Sequence, residues 1–133
     1  MSNKKADYLF LFRGESWDKE LTLEETERVM NETLAWFDRI GQAGKIKGCQ
    51  PLANSGRIVS GRAGRSIADG PFVESKEAVA GYLIVELDSM EEAVAWAKTL
   101  PAVAHGQTVE VRLIEEECPT FRRVKARLAE AVV

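Results

Sequence analysis

Asp69 and His105 are the two residues from which acid–base chemistry could be assembled in this chain. His105 is the single histidine of 133 residues, and imidazole is the side chain best suited to give and take protons near neutrality. Asp69 opens the string Asp69-Gly70-Pro71-Phe72 within "ADGPFVESKE", residues 68–77. Two readings of it stand side by side. Asp and Gly ahead of Pro favour a turn in which the carboxylate bonds backbone amides two residues on; alternatively the carboxylate stands at a pocket mouth, acting as base or orienting His105.

Arg13 could grip a substrate carboxylate in bidentate fashion, or simply end a strand as a solvated charge. Trp17 is either a pocket lid or a hydrophobic anchor, and Phe72 an apolar wall. Ser16, beside Glu15, lacks the Gly-x-Ser-x-Gly setting of a hydrolase nucleophile. Glu74, Lys76 and Glu77 read as solvated charges on a short helical turn. Arg57, Arg62 and Arg65 with Gly61 and Gly64 lack the spacing of a phosphate loop. Cys49 and Cys118 lie far apart with no Cys-x-x-Cys partner, so neither a zinc site nor a disulfide framework is expected. No metal or other cofactor is called for.

The elements that must position these residues can be read from periodicity. Tyr8 to Phe12 is an aromatic and aliphatic run bounded by Gly14, a first strand. Thr22 with Glu25 three residues on forms a capping box, and the helix it opens runs to about Ala43, with Gly44 as its stop. Val29, Met30, Thr33, Phe37 and Ile40 recur at spacings of three and four and predict its buried stripe. Lys45 to Leu52 reads as a second strand. Arg57 to Ser60 and Arg65 to Ala68 flank "GRAG", a small inserted hairpin. Gly81 to Leu87 is a third main strand. Asp88 or Ser89 caps a helix whose stripe is Met90, Ala93, Val94, Ala97 and Leu100, stopped by Pro101. Gln107 to Glu115 is the last main strand. Thr120 to Val132 reads as a helix with Phe121, Val124, Leu128 and Ala131 on one side, and such a face must dock on something.

Without hairpin and tail the order is strand, helix, strand, strand, helix, strand: the split βαβ, or ferredoxin-like, pattern of an α+β protein. Connections then alternate between the two ends of the sheet. "RGESWDKEL", the insertion with "ADGPFVESKE", and "PAVAHG" fall at one end, which brings Arg13, Trp17, Asp69, Phe72 and His105 into one neighbourhood. Both helices cover the same face, yet the strands are apolar on both sides: Leu9 and Leu11 oppose Tyr8, Phe10 and Phe12, and Tyr82 and Ile84 oppose Leu83, Val85 and Leu87. A solvated face would alternate with polar residues. A second layer is therefore expected, and sheet-to-sheet pairing of two copies supplies it most simply.

The length suits one domain, residues 1–133, with 116–133 as a C-terminal helical extension. Eighteen Lys and Arg against 21 Asp and Glu, net charge -3, offer no general attraction to nucleic acid or anionic lipid. Strand aromatics could imitate an RNA-binding sheet, but the RNP1 consensus and a basic surface are missing. The apolar run near the N-terminus is too short for a signal-peptide core or a membrane span, so a cytoplasmic protein is expected.

"ADGPFVESKE", "GYLIVELDSMEEAVAWAK" and "LPAVAHGQTVEVRLI" together resemble the YCII-related proteins, specifically the branch named for its Asp-Gly-Pro-Phe (DGPF) motif. The likeness spans roughly residues 7 to 114. It implies a ferredoxin-like, dimeric α+β barrel. Some relatives in the smaller-protein branch are linked to lyase-like or dehalogenating chemistry, with a histidine on the first helix paired to an aspartate; the first helix here contains no histidine. Leu113 also stands where related chains often have proline after "EVR".

The leading expectation is a small cytoplasmic homodimer whose barrel-end pocket handles a small organic molecule, by cofactor-free acid–base chemistry of the lyase or isomerase kind. Asp69 and His105 would move protons, Arg13 would hold an acidic group, and Trp17 and Phe72 would be walls. The competing expectation is a non-catalytic dimeric module that binds a ligand or a regulatory protein. A third is a haem-dependent or cofactor-free monooxygenase on the same barrel, with His105 as the available imidazole.

Overall fold

A computed structural model describes residues 4–14, 17–69 and 78–131, the side chain of Asp69 lying outside that description. Strand β1 (Ala6–Arg13) leads into helix α1 (Leu23–Ala43) and strand β2 (Lys45–Pro51). The hairpin β3 (Arg57–Ser60) and β4 (Ser66–Asp69) follows, then β5 (Val79–Leu87), helix α2 (Met90–Lys98), β6 (Thr108–Leu113) and helix α3 (Pro119–Ala131). The protein is thus α+β, with a four-stranded antiparallel sheet in the order β2-β5-β1-β6 and the hairpin as a separate two-stranded sheet. Among the described residues no helix is long and apolar enough to cross a membrane.

Helices α1 and α2 begin where their capping residues predict. Thr22 accepts from the Glu25 amide at 3.0 Å while the Glu25 carboxylate accepts from the Thr22 amide at 3.0 Å, the reciprocal box that satisfies two otherwise orphaned donors. Ser89 performs the first half of this for α2. Gly44 ends α1 because the chain passes hard against β5 there: a Cβ would run into the Glu86 carbonyl oxygen and stand 2.8 Å from Leu87 Cδ2.

The core lies between the sheet and the helices α1 and α2. Phe10, Leu83, Val85 and Leu87 on one face of the sheet meet Trp36, Ile40, Ala93 and Ala97. Here the structure corrects two predicted stripes. On α1 the deepest line is Val29, Trp36 and Ile40, whereas Met30 is 48% exposed. Trp36 takes the centre because its ring meets Phe10, Phe37 and Trp96 and its indole N–H donates to both the Trp96 carbonyl (3.1 Å) and Thr99 Oγ1 (3.0 Å). A buried indole needs such an acceptor. On α2, Ala93 and Ala97 face the core and Val94 faces outward, since small residues let the helix approach the sheet. Pro101 opens a 3-10 turn, Pro101–His105, that closes at Gly106 with φ +100°, where a loop was expected.

Among the described residues no helix or second sheet covers the opposite face of the sheet. Leu9, Leu11, Tyr82 and Ile84 are half-buried there. Helix α3, expected to dock, is exposed along its length.

Trp36→Ala is expected to remove about 3–5 kcal/mol of unfolding free energy, as large truncations in a packed core do. Urea unfolding followed by circular dichroism checks this.

Candidate functional site

The register of the sheet gathers three connections at one end. Arg13 is opposite Val79 on one side and Thr108 on the other, and Pro51 is opposite Gly81. The loop after β1, the insertion between β2 and β5, and the turn before β6 therefore meet there, as the alternating topology requires. Backbone bonds lace them together: Gly14 N–H to the Ala78 carbonyl at 3.0 Å and Leu52 N–H to the Ala80 carbonyl at 2.8 Å. Gly14, at φ +84°, turns the chain out of β1 through a conformation side chains rarely adopt.

A cavity of about 330 Å³ opens at this end between α1 and the sheet. Phe12 and Phe37 meet edge to face at 6.2 Å and, with Trp17, Met30 and Leu100, supply an apolar wall. Among the described residues the lining contains no ionisable acid or base except Cys49 and Tyr82; its other polar residues are Thr33, Gln50 and Gln107. Thr33 donates to the Val29 carbonyl at 2.8 Å, and Gln107 Nε2 stands 3.5 Å from the Gly14 carbonyl. Burial pushes the Cys49 thiol above its ordinary value, which keeps it protonated. A few polar groups in an apolar concavity of this size are what a small-molecule site requires.

Trp17 stands in the cavity wall, and its ring lies 6.4 Å from His105, tilted by 33°. His105 itself is exposed and does not line the cavity. Arg13 is also placed outside the lining: Nη1 donates to Glu110 Oε1 at 2.7 Å, a partly buried pair between β1 and β6, while Nε is buried with no partner among the described residues. The Asp69 backbone ends β4, but its side chain, Phe72, Glu15 and Ser16 lie outside the described residues, as do Glu74, Lys76 and Glu77.

Sequence reasoning missed two neighbours. Glu110 is one; it sits two residues along β6 from Thr108, the residue opposite Arg13, and only the register reveals the pair. Glu25 is the other. Its carboxyl is held below the usual range first by the Thr22 backbone N–H and then by the Thr22 hydroxyl, with the charges of Arg28 and His105 adding to this. The capping box thus lies within electrostatic reach of His105.

A groove of about 380 Å³ at the other end of the sheet is lined by charges of both signs. Lys47 bridges Asp7 at 2.9 Å and Glu86 at 3.4 Å, and Arg122 reaches Glu115 at 3.5 Å. These groups satisfy one another, which leaves the groove less suited to a ligand than the apolar cavity. Among the described residues no group of three His, Cys, Asp or Glu side chains could hold a metal ion.

The sequence model of the YCII-related domain matches residues 12–117. An uncharacterized protein of Rhizobium meliloti (strain 1021) is 33% identical over 92 residues, covering 67% of this chain and 74% of that protein. The chain belongs to the YCII-related family.

The two thiols should react at different pH. The amides of Phe121 and then Thr120 hold the Cys118 thiol below its ordinary value, whereas burial holds Cys49 above it. Because the thiolate is the nucleophile, iodoacetamide is expected to alkylate Cys118 first and to reach its plateau rate there at lower pH, as mass spectrometry of the two peptides would show.

Proposed function

We propose that this YCII-related chain works as a cytoplasmic homodimer of the DGPF branch, a ferredoxin-like dimeric α+β barrel, whose end cavity binds a small, uncharged, largely aromatic or aliphatic organic molecule. The carrying observation is the lining of the cavity among the described residues: aromatic walls, the amide and hydroxyl residues Thr33, Gln50, Tyr82 and Gln107, and no cation or carboxylate. A charged ligand would lose its hydration there without gaining a counter-charge. Arg13 is engaged by Glu110 and is not part of this lining. The half-buried apolar residues on the outer sheet face support the pairing of two copies.

A neutral phenol is a suitable probe. p-Cresol is expected to slow alkylation of Cys49, which lines the cavity, and to leave Cys118 unaffected, with benzoate much weaker. Met30→Trp, at the exposed rim, is expected to weaken p-cresol protection about tenfold or more, a loss of at least ~1.4 kcal/mol in binding. Preferential protection by benzoate, abolished in Arg13→Gln, would relocate the site to Arg13 and overturn the reading.

Acid–base catalysis of the lyase or isomerase kind is the second reading, favoured by the approach of His105 to the cavity-lining Trp17. It has Asp69 and His105 as the proton-moving pair and Phe72 as a further wall. The single set of imidazole NMR resonances should then shift in Asp69→Asn. Unmoved resonances would leave a binding module without this pair.

A further inference from the structure

Helix α3 is folded in isolation: each of its residues is exposed. Phe121, Val124 and Leu128, spaced by three and four, form an apolar line at 66%, 46% and 61% exposure. Arg122 and Lys125 tether its beginning to Glu115 and Glu117, but a helix of 13 residues without a packed face is marginal in water. A second exposed line lies on α1, where Leu23, Met30 and Leu34 are 86%, 48% and 63% exposed and stand on one side of the helix, away from Trp36. At 1.5 Å per residue the α1 line runs roughly 16 Å and the α3 line roughly 10 Å, so the first is long enough to seat the second.

Their charges are opposite. Helix α3 carries four cations, Arg122, Arg123, Lys125 and Arg127, against the single carboxylate Glu130. Helix α1 carries five carboxylates against two cations, and helical geometry sets Glu24, Glu27 and Asp38 beside its apolar line. Among the described residues Arg127, Glu24 and Glu27 form no ion pair. The outer sheet face, another apolar surface, is rimmed by charges already paired with one another: Arg13 with Glu110, and Lys47 with Asp7 and Glu86.

We propose that α3 of one copy packs lengthwise on the Leu23–Leu34 line of α1 in a second copy, Phe121, Val124 and Leu128 filling the spaces between Leu23, Met30 and Leu34 while the basic flanks meet Glu24, Glu27 and Asp38. The contact shares Met30 with the cavity wall and uses no residue of the outer sheet face; a chain that uses this contact and sheet pairing with different copies can form a tetramer. Because its flanks are solvent-facing, it weakens as salt rises.

Disulfide trapping tests this in the full chain carrying Cys49→Ser and Cys118→Ser. With Leu34→Cys and Val124→Cys added, mild oxidation is expected to link most chains to another copy, and mixtures of 14N- and 15N-labelled protein should give hybrid species. Arg123→Cys in place of Val124→Cys, on the opposite side of α3, should link far less. A link within one chain would overturn the proposal, as would equal linking by the Arg123→Cys control. So would efficient trapping to Leu9→Cys instead of Leu34→Cys, which would place α3 on the sheet. Leu128→Glu gives a second readout: self-association measured by sedimentation should weaken about tenfold or more, with the sheet intact by circular dichroism. Co-sedimentation of the wild type with phosphatidylserine vesicles, lost in Leu128→Glu while self-association is unchanged, would show a lipid surface to be the occupant and refute the contact.

Discussion

The structure depends on strand β1 having neighbours on both edges and apolar residues on both faces. Antiparallel pairing with β5 and β6 fixes its register along most of its length, and a slip of one residue would exchange Tyr8, Phe10 and Phe12 for Leu9 and Leu11 on the helix side. The volume beneath the helices suits only the first set. Phe10 packs on Trp36 and Phe12 on Phe37, so the aromatic set locks the register and leaves the leucines outward. A sheet with one sealed and one open apolar face follows from that choice.

The same register decides where chemistry can occur. It brings Arg13, Val79 and Thr108 level, so that the loops of three separate connections converge, and it lets Glu110 engage Arg13 across the strands. The end cavity arises where α1 leaves the sheet: Trp36 draws the middle of the helix down, while Met30 and Thr33, nearer its start, stand over a gap walled by Phe12 and Phe37. Cavity and core therefore share α1, and their positions are coupled through one helix.

Much of this was legible in the residues. The capping box at Thr22 and Glu25, the inserted hairpin and the order of strands and helices appear where turn chemistry and periodicity put them, because those signals are local. The buried line of α1 was harder. Val29, Trp36 and Ile40 share the spacing of three and four with the line that includes Met30 and Phe37, and periodicity alone does not rank two adjacent lines; only the acceptors at Trp96 and Thr99 show why the indole goes deepest. The site was legible as a neighbourhood, through topology, but not as a set of contacts. Arg13 reads as a free cation until β6 is set beside β1, and the proximity of Glu25 to His105 depends on how the 3-10 turn folds back towards α1. The carboxylate of Asp69 and the ring of Phe72 fall outside the described residues, so the sequence remains the source of their roles.

The open face of β1 and β5 carries the central claim, that two copies pair through their sheets and frame the cavities at the ends. The most direct measurement is the solution mass of the wild type and of Leu11→Lys by light scattering. The account predicts a mass of two chains, or four where α3 adds its own contact, that is halved by a lysine at the centre of the outward face. A wild type with the mass of one chain, or an assembly that Leu11→Lys leaves unchanged, would contradict it.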